Sequence, residues 1–331
     1  MAYDKIFLLT DETTHSLCLP VVADMEAIKS AYSIVIRPTD EHKNLDSLTH
    51  VWSELSSNGA TRHSLLINLG GGMVTDLGGF AAATFKRGID FINIPTTLLS
   101  MVDASEGGKT GINFAGLKNE IGVFKEPVKV ILDTQFLRTL DHENILSGYA
   151  EMLKHALLTH DARMLDEILS FDIDGDIDYE QLSKKVHKSV AVKRKIVRLD
   201  PTEHGKRKAL NLGHTVGHAL ESYAMKQGRP VLHGYAVAWG LVAELYLSAA
   251  YYDFPSDTMR KVVGFVTRHY GKFDFTCDDY DTIFDLMRHD KKNIGNQIKF
   301  ALLSGLGVIR INRTVTKEQI FEALDFLRDG Q

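Results

Sequence analysis

Leu65-Leu66-Ile67-Asn68-Leu69-Gly70-Gly71-Gly72-Met73-Val74-Thr75-Asp76-Leu77-Gly78-Gly79 is the stretch on which the fold turns. Its opening residues form an apolar run of strand length and suit a strand covered on both faces. Three glycines follow, then a helix-like segment with Asp76 near its start. A strand, a glycine turn and a helix bring backbone N–H groups and the positive end of a helix toward a diphosphate. Thr75 stands where a strict G-x-G-x-x-G pattern would have its third glycine. A plain tight turn therefore stays open as the alternative.

The same grammar extends outward. Lys5–Leu9, Ser33–Arg37, Ser64–Leu69, Asp90–Ile94 and Val128–Leu132 are short apolar or β-branched runs, separated by helix-like stretches such as Leu45–Ser57 and Leu77–Thr84. Alternation of this kind predicts a parallel sheet with helices on its faces. After Asp133 the spacing becomes helical, in Ser147–Thr159, Tyr179–Arg198, Leu210–Met225, Tyr235–Tyr252 and Ser256–His269. The later strand candidates are Ile298–Leu303 and Gly307–Ile311, joined as a small hairpin through Ser304-Gly305-Leu306. The expected fold is an N-terminal Rossmann-like α/β domain, residues 1–140, followed by a mostly α-helical domain, residues 141–331.

Bulk properties narrow the function classes. The chain has 331 residues, 44% hydrophobic and 24% charged, enough for two ordinary domains. A net charge of −5 argues against general affinity for nucleic acid or an anionic membrane. Two distant cysteines, Cys18 and Cys277, exclude a disulfide framework or a cysteine metal cluster. Cysteine usage, an N-terminus without signal-peptide layout and the lack of a ~20-residue apolar span predict a cytoplasmic protein. The acidic loop Ser170–Asp178 lacks the closing Glu of a calcium-binding loop and reads as a solvated turn.

Further motifs carry chemistry. Gly108-Lys109-Thr110 ends like a phosphate-binding Walker loop, but Asp103 occupies the position of the required first glycine. What remains is a glycine-rich loop with an acid and a lysine, followed by Lys118-Asn119, which suits an anionic substrate. Glu151, Lys154 and His155 share a helix face at i, i+3 and i+4. His214 and His218 lie one turn apart among glycines, and His233 precedes another helix. One carboxylate with two or three imidazoles can hold Zn²⁺ with an open position. In a chain of 14 histidines, a surface or core role is the alternative for each one alone. A solvated face is likewise the default for Lys193, Arg207 and Asp290-Lys291-Lys292-Asn293, as is a commonplace post-strand acid for Asp11.

Taken in order, these segments resemble 3-dehydroquinate synthase. The likeness runs from about residue 5 to 312, through Gly70–Asp76, Arg87-Gly88, Pro95-Thr96-Thr97-Leu98-Leu99, Val102-Asp103, Gly107–Gly111, Lys118-Asn119, Ala150-Glu151, Lys154, Leu210–Thr215, Gly217-His218-Ala219, Leu232-His233-Gly234 and Asp290-Lys291-Lys292. The resemblance implies an NAD-binding domain, a helical domain holding Zn²⁺ (or Co²⁺), and an active site between them. Carried over, Glu151, His214 and His233 would bind the metal, while Asp103, Lys109, Lys154, Asn211 and His218 would serve the chemistry. Arg87, Asn119, Lys193, Arg207 and Lys292 would hold the substrate, with Arg87 reaching the neighbouring subunit of a homodimer. Asp11, Asp40, Lys43, Gly71, Gly72, Asp76, Thr96, Thr97, Lys109, Lys118 and Thr139 would line the NAD site.

The implied reaction converts 3-deoxy-D-arabino-heptulosonate 7-phosphate to 3-dehydroquinate and phosphate. It proceeds by transient oxidation, phosphate elimination, re-reduction, ring opening and intramolecular aldol closure, in the shikimate pathway. The alternatives are another sugar-phosphate cyclase, such as a 2-deoxy-scyllo-inosose synthase, or a metal-dependent polyol dehydrogenase. Three departures from the family pattern stand out: Lys5 already starts the first nucleotide-binding strand, Tyr235 replaces a Glu, and Glu106 replaces a small apolar residue.

Overall fold

The computed structural model describes residues 3–288 and 297–330, and the chain divides into two compact units, Met1–Asp141 and His142–Gln331. In the first, β1 (Ile6–Asp11), the short helices α1 (Glu12–Leu17), α2 (Leu19–Val22) and α3 (Glu26–Lys29), then β2 (Tyr32–Ile36), α4 (Leu45–Ser57), β3 (Leu65–Gly70), α5 (Gly72–Thr84) and β4 (Asp90–Pro95) follow in order. A hairpin of β5 (Lys109–Phe114) and β6 (Leu117–Phe124) precedes a two-residue strand, β7 (Lys129–Val130). The sheet runs β2-β1-β3-β4-β7 with every pair parallel.

Strand alternation puts Phe7 and Leu9, Ile34 and Ile36, Leu66 and Phe91 on one sheet face, against Leu48, Val51 and Leu55 of α4 and Val74, Leu77 and Phe80 of α5. Each such buried side chain contributes roughly 1.5–3 kcal/mol. Helix α5 is buried along most of its length because it also packs on β5, so it shows no polar face. Gly78 permits that depth: a Cβ there would sit 2.0 Å from Asn68 Oδ1 and 2.8 Å from Leu9 Cδ2. Helix α4 starts at Asn44, whose side chain accepts from Ser47 N at 3.1 Å.

The second unit comprises α6 (His142–Leu157), α7 (Ala162–Leu169), α8 (Tyr179–Leu199), α9 (His214–Lys226), α10 (His233–Tyr251), α11 (Ser256–Tyr270), α12 (Tyr280–Arg288), the antiparallel pair β8 (Phe300–Leu303) and β9 (Ile309–Arg313), and α13 (Lys317–Asp329). Helix α10 is its axis, packed by α6, α9, α11 and α13 and buried on all sides from Ala236 to Leu245. Among the described residues, no helix is long and apolar enough to cross a membrane.

Several elements depart from the sequence expectation. The stretch 109–124, whose first residues read as part of a glycine-rich loop and whose remainder carries no strand expectation, is a hairpin; its pattern is masked because every residue of β6 is exposed and Gly111 and Gly122 sit where the strands touch. Helices α7, α12 and α13 were not anticipated. The start of α13 is written in its capping box, Thr316 with Gln319, and α7 is capped by Asp161 accepting from Arg163 N and Met164 N. The acidic loop 170–178 is a turn that ends in a cap, with Asp178 accepting from Glu180 N and Gln181 N.

Candidate active site

The first unit gathers its candidate residues at the C-terminal ends of the parallel strands, where α/β sheets place ligands. Gly71 caps α5 with no side-chain hydrogen bond, which presents the helix N-terminus as backbone. A Cβ on Gly71 would lie 3.0 Å from Thr97 Cγ2, and one on Gly72 would lie 3.2 Å from Ala104 Cβ. Thr96 N donates to Gly70 O at 3.0 Å, so β3 and β4 deliver Gly71, Gly72, Thr96 and Thr97 to one spot. Thr139 joins from the end of the unit, its Oγ1 3.7 Å from Cys18 Sγ. Burial pushes the Cys18 thiol up, which disfavours the thiolate and a nucleophilic role. Asp11 ends β1 as a cap: its Oδ1 accepts from Thr14 N at 2.9 Å.

A second group forms around Lys43, which is 3% exposed. Its amine donates to both Asp76 and Asn119. Asp40 meets Lys118 at 3.5 Å and accepts from Asn113 Nδ2 at 3.1 Å. Asn113 also donates from its backbone to Lys43 O at 2.7 Å and accepts from Asn119 N at 2.9 Å. Asn113 is thus a clasp between the hairpin and the 39–43 loop; the unseen hairpin concealed it from the sequence reading. Asp103 stands in a π-turn at Ser100–Ala104, Lys109 opens β5 exposed, and Arg87 is exposed with a positive φ of 68°. Glu106 is buried.

The second unit holds a denser cluster. Helix α6 carries Glu151 and Lys154, both buried and ion-paired to each other. Glu151 Oε1 lies 3.4 Å from His214 Nε2 and 3.8 Å from His233 Nε2. Burial raises the cost of charge on Glu151, but Lys154, His214 and His233 outweigh it and hold the carboxyl well below its ordinary range. One ring nitrogen from each of His214, His218 and His233 lies within 4.8 Å of the others.

The other ring nitrogens of His214 and His233 have partners. His214 Nδ1 lies 3.1 Å from Leu212 O, and His233 Nδ1 lies 3.1 Å from Glu221 Oε2. Donation of an Nδ1 proton to each of those acceptors would leave Nε2 as the ligand atom when a metal replaces its contact with Glu151. Tetrahedral ligands with bonds of about 2.0–2.1 Å sit about 3.3–3.4 Å apart, so the spacing fits Zn²⁺ or Co²⁺. Glu221 was absent from the sequence expectation, although its place two turns after His214 was a signal. Ser147 was absent too; its Oγ accepts from Gly234 N at 3.1 Å and seats the start of α10 on α6.

Among the described residues, the basic candidates of this unit are buried as well. Lys193 on α8 is 5% exposed, and Arg207, 2% exposed, donates to Pro201 O at 2.5 Å. Asn211 Nδ2 donates to Glu203 Oε1 at 3.0 Å. His155 does share the Glu151 face, with a ring nitrogen within 4.8 Å of a Glu151 carboxylate oxygen, and its Nδ1 contacts Ser189 Oγ at 2.7 Å inside the core. Lys292 lies outside the described residues.

Comparison with known proteins agrees with this picture. The family patterns described as 3-dehydroquinate synthase N-terminal and C-terminal match residues 33–147 and 148–293. A 3-dehydroquinate synthase of Parabacteroides distasonis is 53% identical across all of this chain and 93% of its own length. One from Pyrococcus furiosus is 39% identical, covering 97% of this chain and 92% of its own. Among solved structures, a 2-epi-5-epi-valiolone synthase from Streptomyces hygroscopicus subsp. jinggangensis with NAD⁺ and Zn²⁺ bound superposes with a TM-score of 0.86 at 25% identity, over 98% of this chain and 90% of that one. A 2-deoxy-scyllo-inosose synthase complexed with carbaglucose-6-phosphate, NAD⁺ and Co²⁺ gives 0.83 at 25% identity, over 97% and 90%.

Proposed function

The chain belongs to the 3-dehydroquinate synthase family, and we propose that it converts 3-deoxy-D-arabino-heptulosonate 7-phosphate to 3-dehydroquinate and phosphate. In class terms this is a carbon–oxygen lyase that eliminates phosphate. The observation that carries the reading is the pair of histidines His214 and His233, each with Nδ1 held by an acceptor and Nε2 turned to the buried Glu151.

Bound NAD⁺ supplies a reversible hydride acceptor, and a bound divalent metal supplies a Lewis acid at the reacting hydroxyl. Glu151, His214 and His233 would hold the metal; Lys154 neutralises Glu151 and fixes its rotamer. Gly71, Gly72, Thr96 and Thr97 would hold the dinucleotide, with α5's N-terminus toward its phosphates. Asp11, Asp40, Lys43, Asp76, Lys118 and Thr139 complete the proposed NAD site. Lys193, Arg207 and Lys292 would neutralise the substrate's phosphate and carboxylate, with Asn119 and Asn211 directing it by hydrogen bonds. His218 stands beside both metal-facing histidines, with ring centroids 5.3 Å from His214 and 5.8 Å from His233, and would move the proton that leaves the oxidised carbon's neighbour. Asp103 and Lys109 would assist from the glycine-rich loop.

A homodimer and a cytoplasmic location are part of the same proposal. The first is supported by the large apolar side chains exposed on and beside the β5–β6 hairpin, Phe114, Leu117, Ile121, Val123, Phe124 and Val128; Arg87 would reach the partner. The second is supported by two well-separated free cysteines, one buried and one exposed. The test is phosphate release from the heptulosonate phosphate with NAD⁺ and Zn²⁺ or Co²⁺ supplied or withheld. Release that needs both, with no net NADH, supports the cyclase reading; accumulating NADH would point to a dehydrogenase.

A further inference from the structure

We propose that Glu244 is a positioning residue for the metal-facing histidines, locking the first turn of α9 onto α10. This rests on the metal reading of Glu151, His214 and His233. Glu244 is completely buried, eleven residues beyond His233 on the same helix, and eleven residues are close to three full turns, so both project from one face of α10. Its Oε2 accepts from Gly213 N at 2.7 Å, and its Oε1 accepts from Thr215 N at 2.9 Å and Val216 N at 3.1 Å. Those three donors bracket His214, the first residue of α9.

The helix has no other cap. Gly213 occupies the N-cap with φ 79° and offers no side chain, so the orphan N–H groups of the first turn need an acceptor from elsewhere. A carboxylate suits the positive end of the helix, and charge-assisted bonds to backbone N–H groups are the stronger kind. The two helices also touch backbone to backbone here: a Cβ on Gly240 would lie 1.9 Å from Gly213 O and 2.7 Å from Gly217 N. Close contact sets the distance between the helices, but smooth glycine surfaces leave rotation and sliding weakly defined. Glu244 removes that freedom by pinning three donors within one turn, on both sides of His214. One helix therefore carries His233 at its start and, three turns on, the group that fixes His214 on its neighbour. The arrangement makes the relative placement of two ligands a property of α10 alone.

The experiment compares Glu244→Gln, Glu244→Asp and the core variant Leu324→Ala with the wild-type chain. Leu324 is fully buried in α13, so its truncation lowers stability by leaving a cavity without touching α9's first turn. Zn²⁺ dissociation constants are read by chelator competition, and melting temperatures are read on the metal-free forms. E244Q places an NH₂ group against backbone donors, and its Zn²⁺ dissociation constant is expected to rise about 10- to 100-fold. E244D keeps the charge but withdraws it by one methylene, and a smaller rise is expected. L324A is expected to melt lower and to keep the wild-type constant within about twofold. The phosphate-release assay should show kcat of E244Q falling more than KM changes, and excess Zn²⁺ restoring part of it. Wild-type Zn²⁺ affinity in E244Q, or in E244D should E244Q not fold, would overturn the proposal. Equal loss of affinity in L324A would overturn it as well, by showing a general stability effect. A wild-type chain that binds no Zn²⁺ at one per chain would instead remove the metal reading beneath it.

Discussion

Glu221 Oε2 lies 3.1 Å from His233 Nδ1, although the two residues belong to different helices, α9 and α10. Glu221 sits two turns after His214, so α9 contributes both an imidazole of the proposed metal site and the carboxylate that orients the imidazole of its neighbour. A carboxylate on a ligating histidine fixes its tautomer and raises its basicity.

Glu221→Gln should therefore leave the fold intact and raise the Zn²⁺ dissociation constant by about 10- to 100-fold, the usual cost of losing such a partner. Metal titration of the purified variant gives the answer. An unchanged constant would mean that His233 is oriented by something else.

His214→Ala should abolish both stoichiometric metal and phosphate release. In the wild-type chain, chelation should lower the melting temperature, because a ligand that binds only the folded state stabilises it by mass action. In His214→Ala the chelator should change nothing. A variant that remains active with no metal would sink the assignment of His214.

Lys43→Met removes the amine shared by Asp76 and Asn119 in a nearly closed site. Breaking the Lys43–Asp76 ion pair costs about 3 kcal/mol, as for other broken buried pairs. The expected result is a lower melting temperature and at least a tenfold weaker NAD⁺ interaction, measured by calorimetry. Should NAD⁺ bind as tightly as in the wild type, Lys43 and its partners would be structural only.

Asp178 caps α8, and backbone N–H donation from Gln181, with help from the Gln181 side chain and Glu180 N–H, holds its carboxyl below the ordinary value. A depressed folded-state pKa contributes stability that is present above the unfolded pKa of about 3.9 and is lost as pH falls through the folded value. Asp178→Asn keeps a cap acceptor but removes the titration. Urea melts from pH 7 down to pH 3 should show the wild-type advantage shrinking as the medium is acidified. An advantage that grows on acidification would contradict the sign.

Gly240→Ala should be poorly tolerated, because the added methyl would fall 1.9 Å from Gly213 O. Separating α9 from α10 moves His214 away from His233, so metal affinity should fall together with stability. Full metal affinity in a soluble, well-folded G240A chain would show that the crossing is looser than these distances state.

The alternation of apolar runs with helical spacing determined the parallel sheet and the helical second half, since period two and period 3.6 are local properties of the chain. The glycines after Leu69, the pair His214 and His218, and Glu151 with Lys154 were legible for the same reason: each is a short-range pattern with a chemical use. What the tertiary structure decided was partnership. Glu221 meets His233, Glu244 meets the first turn of α9, and Lys43 meets Asp76 and Asn119 only because helices and loops distant in sequence are packed together. The β5–β6 hairpin was hidden because its outer strand buries nothing and so leaves no alternation to read. Local sequence sets which groups a helix or strand offers, but burial sets which of them must be satisfied, and by whom.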